Sequence, residues 1–234
     1  MGCEDSLMWY HGVTLGDWNT LVITNRPGDF SQLKGFESMV YGGVKGSVYT
    51  PRPEHLIWGQ CWERMYETLA HFNSLKREHT NEVPIPFLDW GEDEWKLYHT
   101  FRFNMRKAVT PILRKIKVKY ETYIKWMDTL KDHCTIHTEF YPEGRNIYNT
   151  HCFLLDSDHK HSVKSLFSWF PTTPVITEVG DQLLVFLKVF HSDITRDMIC
   201  TVCDMKTMHM VKGINHAQFI SELHQSPRIK THVI

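Results

Sequence analysis

Between Pro53 and Lys76 the apolar residues Ile57, Cys61, Met65, Leu69, Phe72 and Leu75 recur at three- and four-residue steps. Side chains at that spacing share one helical face, so a first long helix is predicted, opened by Pro53, whose missing N–H costs nothing in a first turn. A second helix is predicted from Thr110 to about Lys131. Leu113, Ile116, Tyr120, Tyr123, Met127 and Leu130 advance by 3, 4, 3, 4 and 3 residues, with Thr110 as N-cap and Pro111 in the first turn. The other face of this helix carries Arg114, Lys115, Lys117, Lys119 and Lys125, a solvated face that could also meet phosphate or an acidic partner. Between the two helices, "NEVPIPFLDWGEDEW" (81–95) reads as a proline-broken loop with an acidic, aromatic tail.

After Lys131 the period shortens. "CTIHTEF", "IYNTHCFLLD", "SLFSWF", "DQLLVFLKVF" and "MICTVCDM" read as successive strands between Gly, Pro, Asp and Lys punctuation. Ahead of the first helix, short apolar runs such as "LVIT" alternate with "NRPGD" and "YGGVKG", which predicts short strands and turns. The expected architecture is α+β over a single domain, 1–234. An N-terminal helical support (1–132) packs on a C-terminal jelly-roll core (133–212), followed by a C-terminal helix or tail (213–234).

Composition narrows the function classes. The chain has 234 residues, 42% of them apolar and 23% charged, which suits a packed globular core and excludes wholesale disorder. A net charge of −1 gives no strong nucleic-acid signal. No apolar run approaches the roughly 20 residues of a spanning helix. The six cysteines, with no secretory signal read ahead of them, are expected to be reduced thiols in a cytoplasmic setting. Membrane attachment would come only through acylation: "MGCEDS" fits the myristoylation pattern at Gly2, with Cys3 placed for a second chain.

The candidate chemistry starts from "TIHTEF". On a strand, His137 and Glu139 would point to one face and offer a two-ligand bite for a metal. Downstream, "VGDQLLVFLKVFHSDITR" runs from a Gly-Asp turn through an apolar strand to His191 and Arg196. This combination resembles the 2-oxoglutarate and iron(II)-dependent oxygenases of the double-stranded β-helix fold. Over roughly 135–204 the resemblance implies His137, Glu139 and His191 as Fe(II) ligands. It implies Arg196 at the far carboxylate of 2-oxoglutarate, with Lys206 or Arg145 as substitutes. His151, at the head of "CFLLD", is similar to a co-substrate histidine of the aspartyl/asparaginyl hydroxylase branch. Two imidazoles and a carboxylate would leave three metal positions open for co-substrate and dioxygen. The expected activity is hydroxylation of a small molecule or a protein side chain. The alternative is a non-catalytic jelly-roll scaffold, viral and membrane-apposed through its acylated N-terminus.

Two cysteine patterns are weighed and set aside. "GQCW" (59–62) looks like a cysteine-nucleophile box, but Cys61 falls on the apolar face of the first helix and is expected to be a structural thiol. Cys200 and Cys203, with His209, make only half of a zinc site.

Overall fold

A computed structural model describes residues 8–24, 27–32, 35–54, 56–73, 88–134, 136 and 138–224. Gly2, Cys3, Leu75 and His137 lie outside these residues. The chain divides into two compact units, one formed by 1–82 with 138–234 and the other by 83–137.

The larger unit holds seven strands: β1 (Met8–Gly16), β2 (Thr20–Thr24), β3 (Lys45–Tyr49), β4 (Asn149–Asp156), β5 (Val175–Val179), β6 (Gln182–Val189) and β7 (Gly213–His224). They form one curled antiparallel sheet in the order β2-β1-β7-β4-β6-β5-β3. β4 and β6 take central places because "HCFLLD" and "QLLVFL" are apolar on both faces, as a strand covered on both sides must be. The β5–β6 hairpin closes with Gly180 at φ 55°, a positive φ that a tight two-residue turn demands and glycine supplies without strain.

Three helices belong to this unit: α1 (Trp58–Ala70), α5 (Lys160–Ser168) and α6 (Ser192–Thr207). Their buried stripes, including Met65, Leu166, Phe167, Met198, Val202 and Met205, pack with Phe153, Leu155, Val185 and Leu187 of the sheet. Each such side chain taken from water contributes about 1.5–3 kcal/mol. Cys152, Leu154, Leu184 and Phe219 instead pack with Tyr10, Trp18, Leu21 and Tyr41. From β4 onward the chain reads β4-α5-β5-β6-α6-β7, and the spatial order β7-β4-β6-β5 makes two interleaved split β-α-β units.

The smaller unit contains α2 (Glu92–Phe101), α3 (Val109–Ile116) and α4 (Tyr120–His133). Leu97, Phe101, Leu113, Val118, Tyr123, Trp126 and Leu130 form its own core. Among the described residues no helix is long and apolar enough to cross a membrane.

The α+β class is the expected one, but several elements differ. The first helix starts at Trp58, not Pro53; Ile57 caps it and is 69% exposed, while Cys61, Met65 and Leu69 are buried as expected. The second is two helices. Lys117 turns into the left-handed region (φ 57°, ψ 41°) and both its N–H and that of Val118 reach the Leu113 carbonyl, ending α3 before α4 begins. "GEDEW" opens helix α2, whose first turn carries Glu92, Asp93 and Glu94, the acidic residues that a helix N-terminus favours. "MICTVCDM" lies within α6 and "SLFSWF" forms the end of α5 and the turn after it, and the segment expected as a C-terminal helix or tail contains strand β7. "CTIHTEF" forms no strand at its described positions.

Candidate functional site

β4 and β7 run antiparallel with Phe153 opposite His216 and His151 opposite Gln218, so these four side chains share one face of the sheet. His151 is 3% exposed, and its Nδ1 lies 2.9 Å from His216 Nε2 with the two rings nearly parallel at 8°. The Phe153 ring stacks on His216 at a centroid distance of 4.5 Å. His216 is fixed through its backbone as well: its N–H donates to Asp17 Oδ2 at 2.8 Å, and its carbonyl accepts from Asp17 N–H at 2.8 Å. Asp17 follows Gly16, whose φ of 147° and missing Cβ let β1 approach the His216 carbonyl.

Burial sets the charge of the pair. Desolvation, reinforced by the neighbouring His216, pushes His151 down to about 4. Desolvation also lowers His216, against a smaller opposing pull from Asp17. Both imidazoles are therefore neutral at pH 7. One ring N–H and one lone pair are used in the mutual contact, and the second nitrogen of each ring has no protein hydrogen bond among the described residues.

A depressed histidine makes the fold acid-sensitive. Its contribution is fully present above the unfolded value near 6.5 and is lost as pH falls toward the folded value near 4. Between pH 7 and pH 5, His151 alone is expected to remove about 2 kcal/mol of stability. Urea unfolding of wild type and His151→Phe at both pH values checks this. The difference between them should shrink markedly in the variant; an equal loss in both would assign the acid sensitivity elsewhere.

The residues expected from the sequence are dispersed among other local contacts. His137 is outside the described residues. Glu139 sits in an irregular segment, where its carboxylate accepts from Lys188 Nζ at 3.0 Å and from the Tyr141 hydroxyl at 2.6 Å. His191 is the N-cap of α6: its Nδ1 accepts from Asp193 N–H at 3.3 Å, and the side chain is 57% exposed. Arg196 points outward on α6, near Asp193 (3.7 Å) and Asp197 (3.5 Å). Arg145 opens a short 3-10 turn, Arg145–Ile147, and Lys206 is exposed in the last turn of α6. Among the described candidate side chains, His151 alone stands in a buried polar arrangement. Among the described residues no three His, Cys, Asp or Glu side chains gather closely enough to hold a metal by themselves.

Cys61 and Cys152 are buried thiols. Cys61 is fully buried, and desolvation, with Glu54 nearby, pushes its thiol up to about 11, far from nucleophilic range at neutral pH. Cys200 and Cys203 are both exposed, one helical turn apart on α6. A cleft of 540 Å³ lies beside α1 and α5, with Glu67, His71, Phe72, His161 and Met210 in its lining.

Sequence alone leaves "GINHAQF" in an expected helix or tail, which hides His216. The available signal was the alternation of Ile214, His216 and Gln218, which places these residues on one strand face. No protein family, curated protein or solved structure matches this chain.

Proposed function

We propose that the chain is a metal-dependent enzyme in which His151 and His216 supply two neutral imidazoles to one divalent transition metal. The observation that carries this reading is the 2.9 Å approach of two ring nitrogens held uncharged by burial. Two imidazoles bound to one tetrahedral ion at about 2.0–2.1 Å place their donor nitrogens about 3.3 Å apart, so a few tenths of an ångström of separation admits the metal. Neutral imidazole is also the form a metal requires, so binding releases little or no proton near neutral pH. With two protein ligands, the remaining positions are open to water and substrate, which is the property of a catalytic rather than a structural centre. Phe153 against His216, and Asp17 on its backbone, hold that ring in place before a metal arrives.

The test is a titration with Co(II) or Zn(II). Wild type should bind about one ion per chain, and His151→Ala and His216→Ala should each weaken binding by 10-fold or more, since a two-imidazole site loses half its protein ligands. Unchanged affinity in both variants would end the proposal and favour the scaffold alternative.

A second reading, at a different ligand set, is the iron(II) and 2-oxoglutarate-dependent oxygenase, with a double-stranded β-helix core and a small-molecule or side-chain substrate. It rests on the sequence resemblance, with His137, Glu139 and His191 as ligands and Arg196 toward the co-substrate. It asks His191 to leave the α6 cap and Glu139 to leave Lys188, so the imidazole pair is the ligand set placed first. Slow conversion of 2-oxoglutarate to succinate by the Fe(II)-loaded protein is the expected result. Loss of that turnover in His191→Ala but not in His151→Ala would transfer the centre to the sequence-predicted triad.

A further inference from the structure

We infer that the cleft between α3 and α4 is a phosphate-backbone site for single-stranded nucleic acid. The chain carries a net charge of −1, yet 106–125 contains seven cationic residues and one acidic residue, Glu121. Folding gathers part of this charge around one concavity of 350 Å³, whose lining includes Thr110, Arg114, Lys117, Lys119 and Tyr120. Arg114, Lys117 and Lys119 have no ion-pair partner within 4 Å among the described residues, unlike Lys96, Lys164, Lys188 and Lys212, each of which is held by a carboxylate. The fold therefore concentrates positive charge here without neutralising it.

The geometry suits a phosphodiester. α3 ends where Lys117 turns left-handed, and α4 starts two residues later at Lys119, an N-cap with no side-chain hydrogen bond. Lys119 and Tyr120 bring the start of α4, the positive end of its helix dipole, to the same lining, although Glu121 in that first turn offsets part of it. Arg114 offers the planar fork that grips a phosphate through two parallel bonds, while the two lysines act as mobile point charges. Tyr120 is 57% exposed at the mouth and supplies a flat ring on which a base can stack. Cations alone would serve any polyanion; an exposed aromatic ring among them, with one face toward Tyr123 at 6.0 Å, favours nucleic acid over polyphosphate or an anionic lipid surface. The reading is independent of the imidazole pair.

The test uses the full chain and a fluorescein-labelled oligothymidine of about 12 nucleotides, followed by anisotropy between about 50 and 200 mM salt. Wild type should bind with a steep salt dependence. The triple variant Arg114→Ala, Lys117→Ala, Lys119→Ala should bind roughly a hundredfold more weakly and lose about two units of salt slope, as three single-strand phosphate contacts predict. Tyr120→Ala should weaken the oligonucleotide about 5- to 100-fold and leave inorganic polyphosphate unaffected. Lys117→Arg with Lys119→Arg should retain binding, which separates lost charge from a damaged fold. Absence of oligonucleotide binding, an unaffected triple variant, or equal sensitivity of polyphosphate and oligonucleotide to Tyr120→Ala would overturn the assignment, as would tighter binding to phosphatidylserine vesicles than to the oligonucleotide.

Discussion

Trp126→Ala is expected to destabilise the 83–137 unit by about 3–5 kcal/mol, the usual cost of removing a large aromatic from a closed core. Trp126 is 1% exposed and is among the largest fully buried side chains of the chain. Its ring lies within 6.0 Å of both Phe101 and Tyr123, from α2 and from its own helix α4, and 6.2 Å from Trp90. A cavity there would be bordered by rigid rings that cannot collapse into it, so the upper part of the range is expected. Trp126→Phe provides the internal control. The indole Nε1 is buried and makes no hydrogen bond among the described residues, so losing the indole N–H removes an unmet polar group and offsets part of the lost volume. Thermal unfolding followed by near-ultraviolet circular dichroism should order the three proteins as wild type, then Trp126→Phe, then Trp126→Ala. An alanine variant within about 1 kcal/mol of wild type would show that this core is looser than its packing implies.

Gly16→Ala is the second large effect, and it reaches the imidazole pair through the backbone. A Cβ at Gly16 would lie 2.3 Å from the His216 carbonyl oxygen and 2.8 Å from Ala217 Cα, both of them backbone atoms that cannot swing aside. The glycine also holds φ at 147°, where an L side chain is strained whatever space surrounds it. Overpacking and conformational strain together make a loss of about 3 kcal/mol the expected result. Because β1 must shift to relieve the contact, Asp17 should lose its paired bonds to His216. Under the proposed two-imidazole site, Co(II) or Zn(II) affinity would then fall alongside stability. Gly12→Ala gives the contrast: Gly12 lies opposite Glu222 on β7, its Cβ would meet the Phe219 ring at 2.2 Å, and its effect should be confined to packing on the opposite face. If Gly16→Ala unfolded with wild-type stability, the approach of β1 to β7 would be more adaptable than these distances allow.

The sequence made some of this legible and hid the rest for physical reasons. The α1 stripe and the two central strands were readable because burial on one helical face, or on both sheet faces, leaves a periodic imprint. The break at Lys117 was not. Ile116 and Tyr120 keep a four-residue step across it, and neither glycine nor proline marks the spot; the turn is paid for by hydrogen bonds to the Leu113 carbonyl rather than by residue type. α5 and α6 look like strands locally because β-branched and aromatic residues dominate their sequences. The helical spacing of Met198, Thr201, Val202 and Met205, four deeply buried positions, is visible only when the window extends past "MICTVC" in both directions. That one misreading moved His191 from a sheet face to a helix cap, and with it the expected partner of Glu139. His151 was noted for a different role, while His216 depends on strand pairing across 65 residues, which no local pattern encodes.

Strand β1 finds its central partner at the far end of the chain: Thr14 sits opposite Phe219, about 200 residues later. At a synthesis rate of about 5–20 residues per second, the N-terminal strand waits roughly 10–40 s on the ribosome before β7 exists to receive it. During that interval Cys152, Leu154 and Leu184 emerge without Phe219 to pack against, and the neighbour that finally completes their face is also the strand that carries His216. Assembly of the sheet and assembly of the imidazole pair are thus the same late event, so a chain released before Gly213 would present an uncovered apolar surface to chaperones and would contain only half of the candidate centre.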